Sequence, residues 1–237
     1  MYSNFYWCLA VSGKDTTQNM KLCEKYSDEI IGRLLLIEKS KLNEDELFYI
    51  ISAIALKARI AIFQGNYFRA VGMMKKVFDY LSLSKFYYQK SDKLLLTTGL
   101  YFYYIEYAIE TNKILYPYLI FYPRGNKANG IAMLRKCLAS ENVMVKSEAC
   151  YFLMKIYLDS EKNLPLAAKH AEILVRMYPE NLLYRYHLFK IYLDADLKEH
   201  ALEQYKLIQK FAAKNNELSI DQKNHFIKIA NRDLGRN

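Results

Sequence analysis

EACYFLMKIYLDSEKNLPLAAKHAEILVRMYPEN (148–181) and YRYHLFKIYLDADLKEHALEQYKLIQKFA (184–212) can be laid over one another. Both contain KIYLD, at Lys155–Asp159 and again at Lys190–Asp194, an offset of 35 residues. The small residue of the following segment recurs as Ala167 and Ala201, an offset of 34, so the first copy carries one extra residue. Apolar residues in each segment recur at three and four, the spacing of one helix face. Two helical segments in a period of this length make a helix-turn-helix unit, which buries its apolar face only by stacking on neighbours. An earlier copy reads ALKARIAIFQGNYFRAVGMMKKVF (55–78), with Gly65 and Tyr67 in the turn and Ala70 as the small residue.

Helical periodicity extends over almost the whole chain. It predicts helices near 3–12, 17–39, 44–64, 67–83, 91–110, 127–139, 144–159, 163–177, 181–194, 197–213 and 219–233, with Gly, Pro and Asn at the breaks. No alternating strand pattern of useful length occurs. The segment KSDKLLLTTGLYFYYIEYAIE (90–110) is dense in strand formers but keeps helical spacing. Eight Gly and four Pro are too few for a turn-rich β protein, and 25% charged residues beside 52% hydrophobic ones disfavour disorder.

The pattern resembles the tetratricopeptide repeat. Its marks here are Leu153 and Tyr157, then Ala167, Ala171 and Tyr178–Pro179; next Leu188 and Tyr192, then Ala201 and Tyr205; and earlier Gly65, Tyr67 and Ala70. A small Ala lets the two helices of a unit approach closely, large aromatics fill the neighbouring unit, and Pro179 ends a helix. Met154 and Phe189 depart from the pattern, standing where the family usually has a small residue. The resemblance covers roughly 44–213 and implies an all-α fold: a right-handed superhelix (α-solenoid) of about five helix pairs plus a terminal helix, treated as a single domain over 1–237.

The stretch KILYPYLIFYPRGNK (113–127) interrupts this scheme. GLYFYYIEYAI (99–109) reads as the first helix of a unit and NKANGIAMLRKCLAS (126–140) as its second, leaving an enlarged aromatic turn over 111–127. This arrangement is similar to a bacterial branch of tetratricopeptide proteins. Tyr116, Tyr118, Ile120 and Phe121 either fold back as a local cluster or serve, with Tyr122, as a partner-binding loop. Two prolines argue against an amphipathic membrane helix here. Gly125 and Gly130 have the spacing of a phosphate loop, but Ile131 and Ala132 stand where lysine and a hydroxyl are required.

The four cysteines (Cys8, Cys23, Cys137, Cys150) show no metal-ligand spacing and read as small buried hydrophobes, and the four histidines (His170, His187, His200, His225) read as surface or interface residues. No catalytic pattern is present, so the chain is expected to be no enzyme and to need no metal or cofactor. The most apolar long window, 47–63, is interrupted by Lys57 and Arg59 and is too short to span a membrane. The chain opens directly on an aromatic helical segment, which is compatible with the C-terminal part of a longer protein; the default expectation is cytoplasmic for the chain as given, and cell envelope or periplasm if an upstream signal segment is missing.

What remains is a groove. First helices of stacked pairs line a concave face, and the family's alignment places Tyr151, Lys155 and Asp159 there, then Tyr186, Lys190 and Asp194, with Arg59 at the lysine position of the earlier unit. An extended peptide could read this ladder of aromatic, cation and carboxylate, an acidic one best, given 34 Lys and Arg against 25 Asp and Glu. The competing reading makes Lys155–Asp159 and Lys190–Asp194 mere intrahelical pairs. The asparagines used by family members that clamp a peptide C-terminus are missing. A nucleic acid or anionic surface is the alternative partner, weakened by acidic residues interleaved among the C-terminal lysines.

Overall fold

A computed structural model describes residues 14–83, 90–111, 113–114, 116–119 and 122–235. All regular structure among them is helical. The helices are α1 (Lys14–Leu34), α2 (Glu44–Phe63), α3 (Tyr67–Leu83), α4 (Asp92–Thr111), α5 (Tyr116–Leu119), α6 (Lys127–Cys137), α7 (Val143–Lys155), α8 (Leu164–Met177), α9 (Leu182–Asp194), α10 (Lys198–Lys214) and α11 (Ile220–Leu234), with a 3₁₀ turn at Lys39–Lys41. The helix expected near 3–12 lies outside the described residues. The one expected over 17–39 stops at Leu34, and the strand-rich segment forms α4 as a full helix. Tertiary burial overrides local propensity there: Leu94, Leu96, Tyr101, Tyr103 and Ile105 all face the core.

Asparagine starts many of these helices. The side chains of Asn43, Asn66, Asn126, Asn163 and Asn181 each accept a bond from the backbone N–H three residues on. Each satisfies a donor that has no partner inside the helix, an effect of about 1 kcal/mol per cap. In three cases the fourth residue after the cap is the small one: Ala70, Gly130 and Ala167. The enlarged-turn unit therefore keeps the cap and small-residue register of the ordinary ones.

The contacts divide the chain into two compact units, one around Thr16–Lys146 and one around Ser147–Asn237. In the first, α2 pairs with α3 and α4 with α6, and the first helices α2 and α4 also touch. Ala58 and Ala61 of α2 meet Ala70 of α3, all buried, which brings the two backbones close. Gly99 of α4 and Gly130 of α6 do the same for the second pair: a Cβ on Gly130 would lie 2.7 Å from the Gly99 carbonyl oxygen. The core between the pairs holds Phe48, Ile51, Val77, Tyr80, Tyr101 and Ile105.

In the second unit α8, α10 and α11 all pack on α9. Met154 and Phe189, the two departures from the family pattern, are both fully buried. The extra residue of the first KIYLD copy has a visible cost: Ile156–Ser160 widens into a π-turn, with Glu161 N–H donating to Ile156 O at 2.9 Å. A π-turn accommodates one inserted residue without shifting the helix that follows. The turn beyond it is then identical in kind to its counterparts. Gly65, Lys162 and Asp196 all have positive φ, at 75°, 51° and 57°. Each sits five residues before its small alanine, Ala70, Ala167 or Ala201. Left-handed backbone strains an L residue by about 1 kcal/mol but not glycine. Lys162→Gly and Asp196→Gly are accordingly expected to stabilise the chain by about 0.5–1 kcal/mol each, and Gly65→Ala to destabilise it by about 1 kcal/mol. Urea midpoints at constant slope measure all three.

Candidate functional site

The predicted ladder separates into core and surface. Tyr151 is buried, its ring 5.9 Å from His187 and 6.1 Å from Tyr184. Tyr186 donates its hydroxyl to Asp233 Oδ2 of α11 at 2.6 Å. Burial first, and that carboxylate second, push the Tyr186 phenol well above its ordinary range. Both aromatic rungs are thus engaged within the fold. The charged rungs stay at the surface and pair with each other: Lys155 Nζ to Asp159 Oδ2 at 2.7 Å, and Lys190 Nζ to Asp194 Oδ1 at 2.5 Å. Exposed intrahelical pairs of this kind contribute only a few tenths of a kcal/mol. Arg59 is half-buried in the first unit, near the Cys23 thiol.

The aromatic turn is anchored from within. Leu119 enters the core of the first unit, and the half-buried Tyr122 donates its hydroxyl to Val71 O of α3 at 3.0 Å. Tyr101 reaches Pro123 O at 3.5 Å, Asn126 N–H donates to Phe102 O at 3.1 Å, and Glu106 accepts the Lys127 backbone N–H. The carboxylate of Glu106 thereby fills the anion position at the start of α6. Tyr116 and Tyr118 remain about half exposed, Tyr118 standing edge-on to Phe68 with centroids 5.5 Å apart. Ile120 and Phe121 lie outside the described residues. The turn therefore folds back through Leu119 and Tyr122 while leaving Tyr116 and Tyr118 to solvent.

One feature the periodicity did not single out lies beside it. Residues 62–69, the end of α2, the Gly65 turn and the start of α3, are all exposed. Ile62, Phe63, Tyr67 and Phe68 among them are 49–61% accessible.

The histidine reading needs correcting at one position, while His200 is exposed and His187 and His225 are partly exposed. His170 is buried and stacked flat on Tyr157, with centroids 5.7 Å apart and planes at 5°, and the buried Cys150 thiol approaches its ring nitrogen at 3.9 Å. Cys23, Cys137 and Cys150 are free and buried, and burial raises the Cys137 pKa to about 12, which keeps that thiol protonated. Cys8 lies outside the described residues. Among the described residues no cluster of His, Cys, Asp and Glu could hold a metal ion, and no helix is long and apolar enough to cross a membrane.

His187 carries a pH prediction. Burial, with Lys155 adding to it, lowers its pKa to about 3. The unfolded histidine titrates near 6.5, so between those values the unfolded chain binds a proton that the folded chain refuses. Stability is full above about pH 6.5 and falls as the pH drops, by up to about 1.4 kcal/mol per unit. His187→Gln is expected to flatten that slope in urea titrations between about pH 6 and 4; an unchanged slope would assign it to other groups.

No protein-family model matches the chain, and no curated protein matches it significantly.

Proposed function

We propose that the chain is a non-enzymatic helical-repeat scaffold of tetratricopeptide type, a right-handed stack of hairpins that binds a protein or peptide. The observation that supports it most is the thrice-repeated turn: positive φ at Gly65, Lys162 and Asp196, with a buried alanine five residues on. Such hairpins serve as spacers that hold side chains at fixed intervals for a ligand. In the second unit the side chains free to act this way are Lys155, Asp159, Lys190 and Asp194. Each lysine can exchange its weak intrahelical partner for a ligand carboxylate at little cost. An acidic, extended segment is the ligand this arrangement favours.

The nucleic-acid alternative has less support, because Glu199, Glu203, Glu217 and Asp221 interrupt the lysines of α10 and α11. The test is crosslinking capture from the source cells with the parent chain and a Lys155→Glu/Lys190→Glu variant, matched for helicity by circular dichroism. A partner held by the parent and lost by the variant supports the reading. Equal capture by both removes the ladder from it, and binding of polynucleotide that falls steeply with salt would replace it.

A further inference from the structure

The three equivalent turns supply an internal control. The Gly65 turn has Ile62 and Phe63 before it and Tyr67 and Phe68 after it. At the same positions the Asp196 turn has Leu193 and Asp194, then Lys198 and Glu199, and Leu193 is buried. The Lys162 turn has Asp159 and Ser160, then Leu164 and Pro165. All three share a positive-φ residue five positions before the small alanine, so the turn itself does not require four large apolar side chains in water. Their exposure in one copy calls for an external contact.

Charge indicates what kind. From Leu47 to Phe78 the sequence has five basic residues and no acidic one, and from Thr111 to Ser140 it again has five basic residues and no acidic one. Three of these ten are matched by carboxylates from elsewhere in the unit, Lys57 by Asp28, Arg69 by Glu24 and Lys127 by Glu110, while Lys75, Lys76, Lys113 and Arg124 are exposed. The structure joins these two stretches: Tyr118 stands against Phe68, and Tyr122 bonds to Val71 one helical turn further along α3. The unit around Thr16–Lys146 holds 19 of the 34 basic residues and 12 of the 25 acidic ones. A second copy of so cationic a surface would be repelled. The contact region is an exposed hairpin end with apolar and aromatic side chains, with the exposed Lys75 and Lys76 further along the same helix, the combination that suits the headgroup layer of an anionic bilayer.

We propose that the α2–α3 hairpin end, Ile62–Arg69, docks the protein on an anionic lipid surface, with Phe63 and Phe68 entering the interface and Tyr67 and Tyr118 lying at headgroup level. Basic residues such as Lys75 and Lys76, both exposed on α3, add long-range attraction. This is surface binding and does not involve a spanning helix. It is independent of the peptide-binding reading, which concerns the other unit.

The test is flotation of the full chain with vesicles of phosphatidylcholine alone and of phosphatidylcholine mixed with phosphatidylglycerol. The expected result is binding to the anionic vesicles only, weakening with salt, and reduced about tenfold or more in a Phe63→Ser/Phe68→Ser variant. Both side chains are largely exposed, so the variant should melt like the parent. A Phe63→Trp chain should add, over the parent, emission that shifts to the blue and is quenched by brominated lipid. No binding to anionic vesicles overturns the proposal. So does equal binding by parent and double-serine variant, which would be adsorption by net charge. Capture of an acidic peptide by the same hairpin without any vesicle binding would assign it to a protein ligand.

Discussion

Gly130→Ala is expected to lower the free energy of unfolding by about 1–2 kcal/mol, while Gly72→Ala raises it by about 0.5–1 kcal/mol. The chemical change is the same and both sites are helical, so the difference isolates packing. A Cβ on Gly130 would stand 2.7 Å from Gly99 O, 2.8 Å from Tyr103 N and 2.9 Å from Tyr103 Cβ. Two of those atoms are α4 backbone, which cannot rotate away, so α4 and α6 would have to separate. Overpacking of this kind costs about 1–3 kcal/mol or somewhat more, against about 1 kcal/mol gained in helix propensity. On Gly72 the added methyl meets nothing within 4 Å, leaving only the propensity gain. Urea denaturation of both variants decides it: shifts of the same sign would mean that the α4–α6 approach is not tight. Gly125 makes a second check, since a Cβ there would stand 2.3 Å from Phe102 O. Its replacement should also free the aromatic turn from α4, seen as faster amide exchange at Asn126, whose N–H is bonded to that oxygen.

Arg185→Ala is expected to cost about 3 kcal/mol. Arg185 is buried at the start of α9, where its Nε donates to Pro179 O and one terminal nitrogen donates to Gln204 Oε1 at 2.9 Å. Its guanidinium lies 4.7 Å from the centroid of the Phe211 ring. The side chain therefore ties the turn before α9 to the middle of α10 through a planar fork that lysine cannot reproduce. Truncation leaves a cavity and a buried Gln204 amide without this donor, and the penalty for such an orphan is often larger than the bond was worth. Arg185→Met fills the volume, so it should lose less than alanine. Adding Gln204→Leu to it should recover stability, because both polar partners are then gone. A double variant less stable than Arg185→Met alone would mean that Gln204 has another role.

KIYLD and its repeat at Lys190 specify helix-turn-helix units because apolar spacing and a recurring small residue are local properties of the chain. Asn66, Asn126 and Asn163 mark helix starts for the same reason: a cap needs only its own next three residues. The need for a small side chain at Ala70, Ala167 and Ala201 was equally readable. By contrast, the burial of Tyr151, the pairing of Tyr186 with Asp233 and the burial of His170 depend on residues 13 to 47 positions away in sequence. No periodicity encodes those partners. The same limit hid the hairpin end: Ile62, Phe63, Tyr67 and Phe68 look like core in a helical pattern, and only the packed structure leaves them in water. The extra residue after the first KIYLD was visible in the repeat offset. Its absorption into a π-turn was decided by packing, which holds Ala167 of α8 in the register of Ala201 and leaves the helix end to widen.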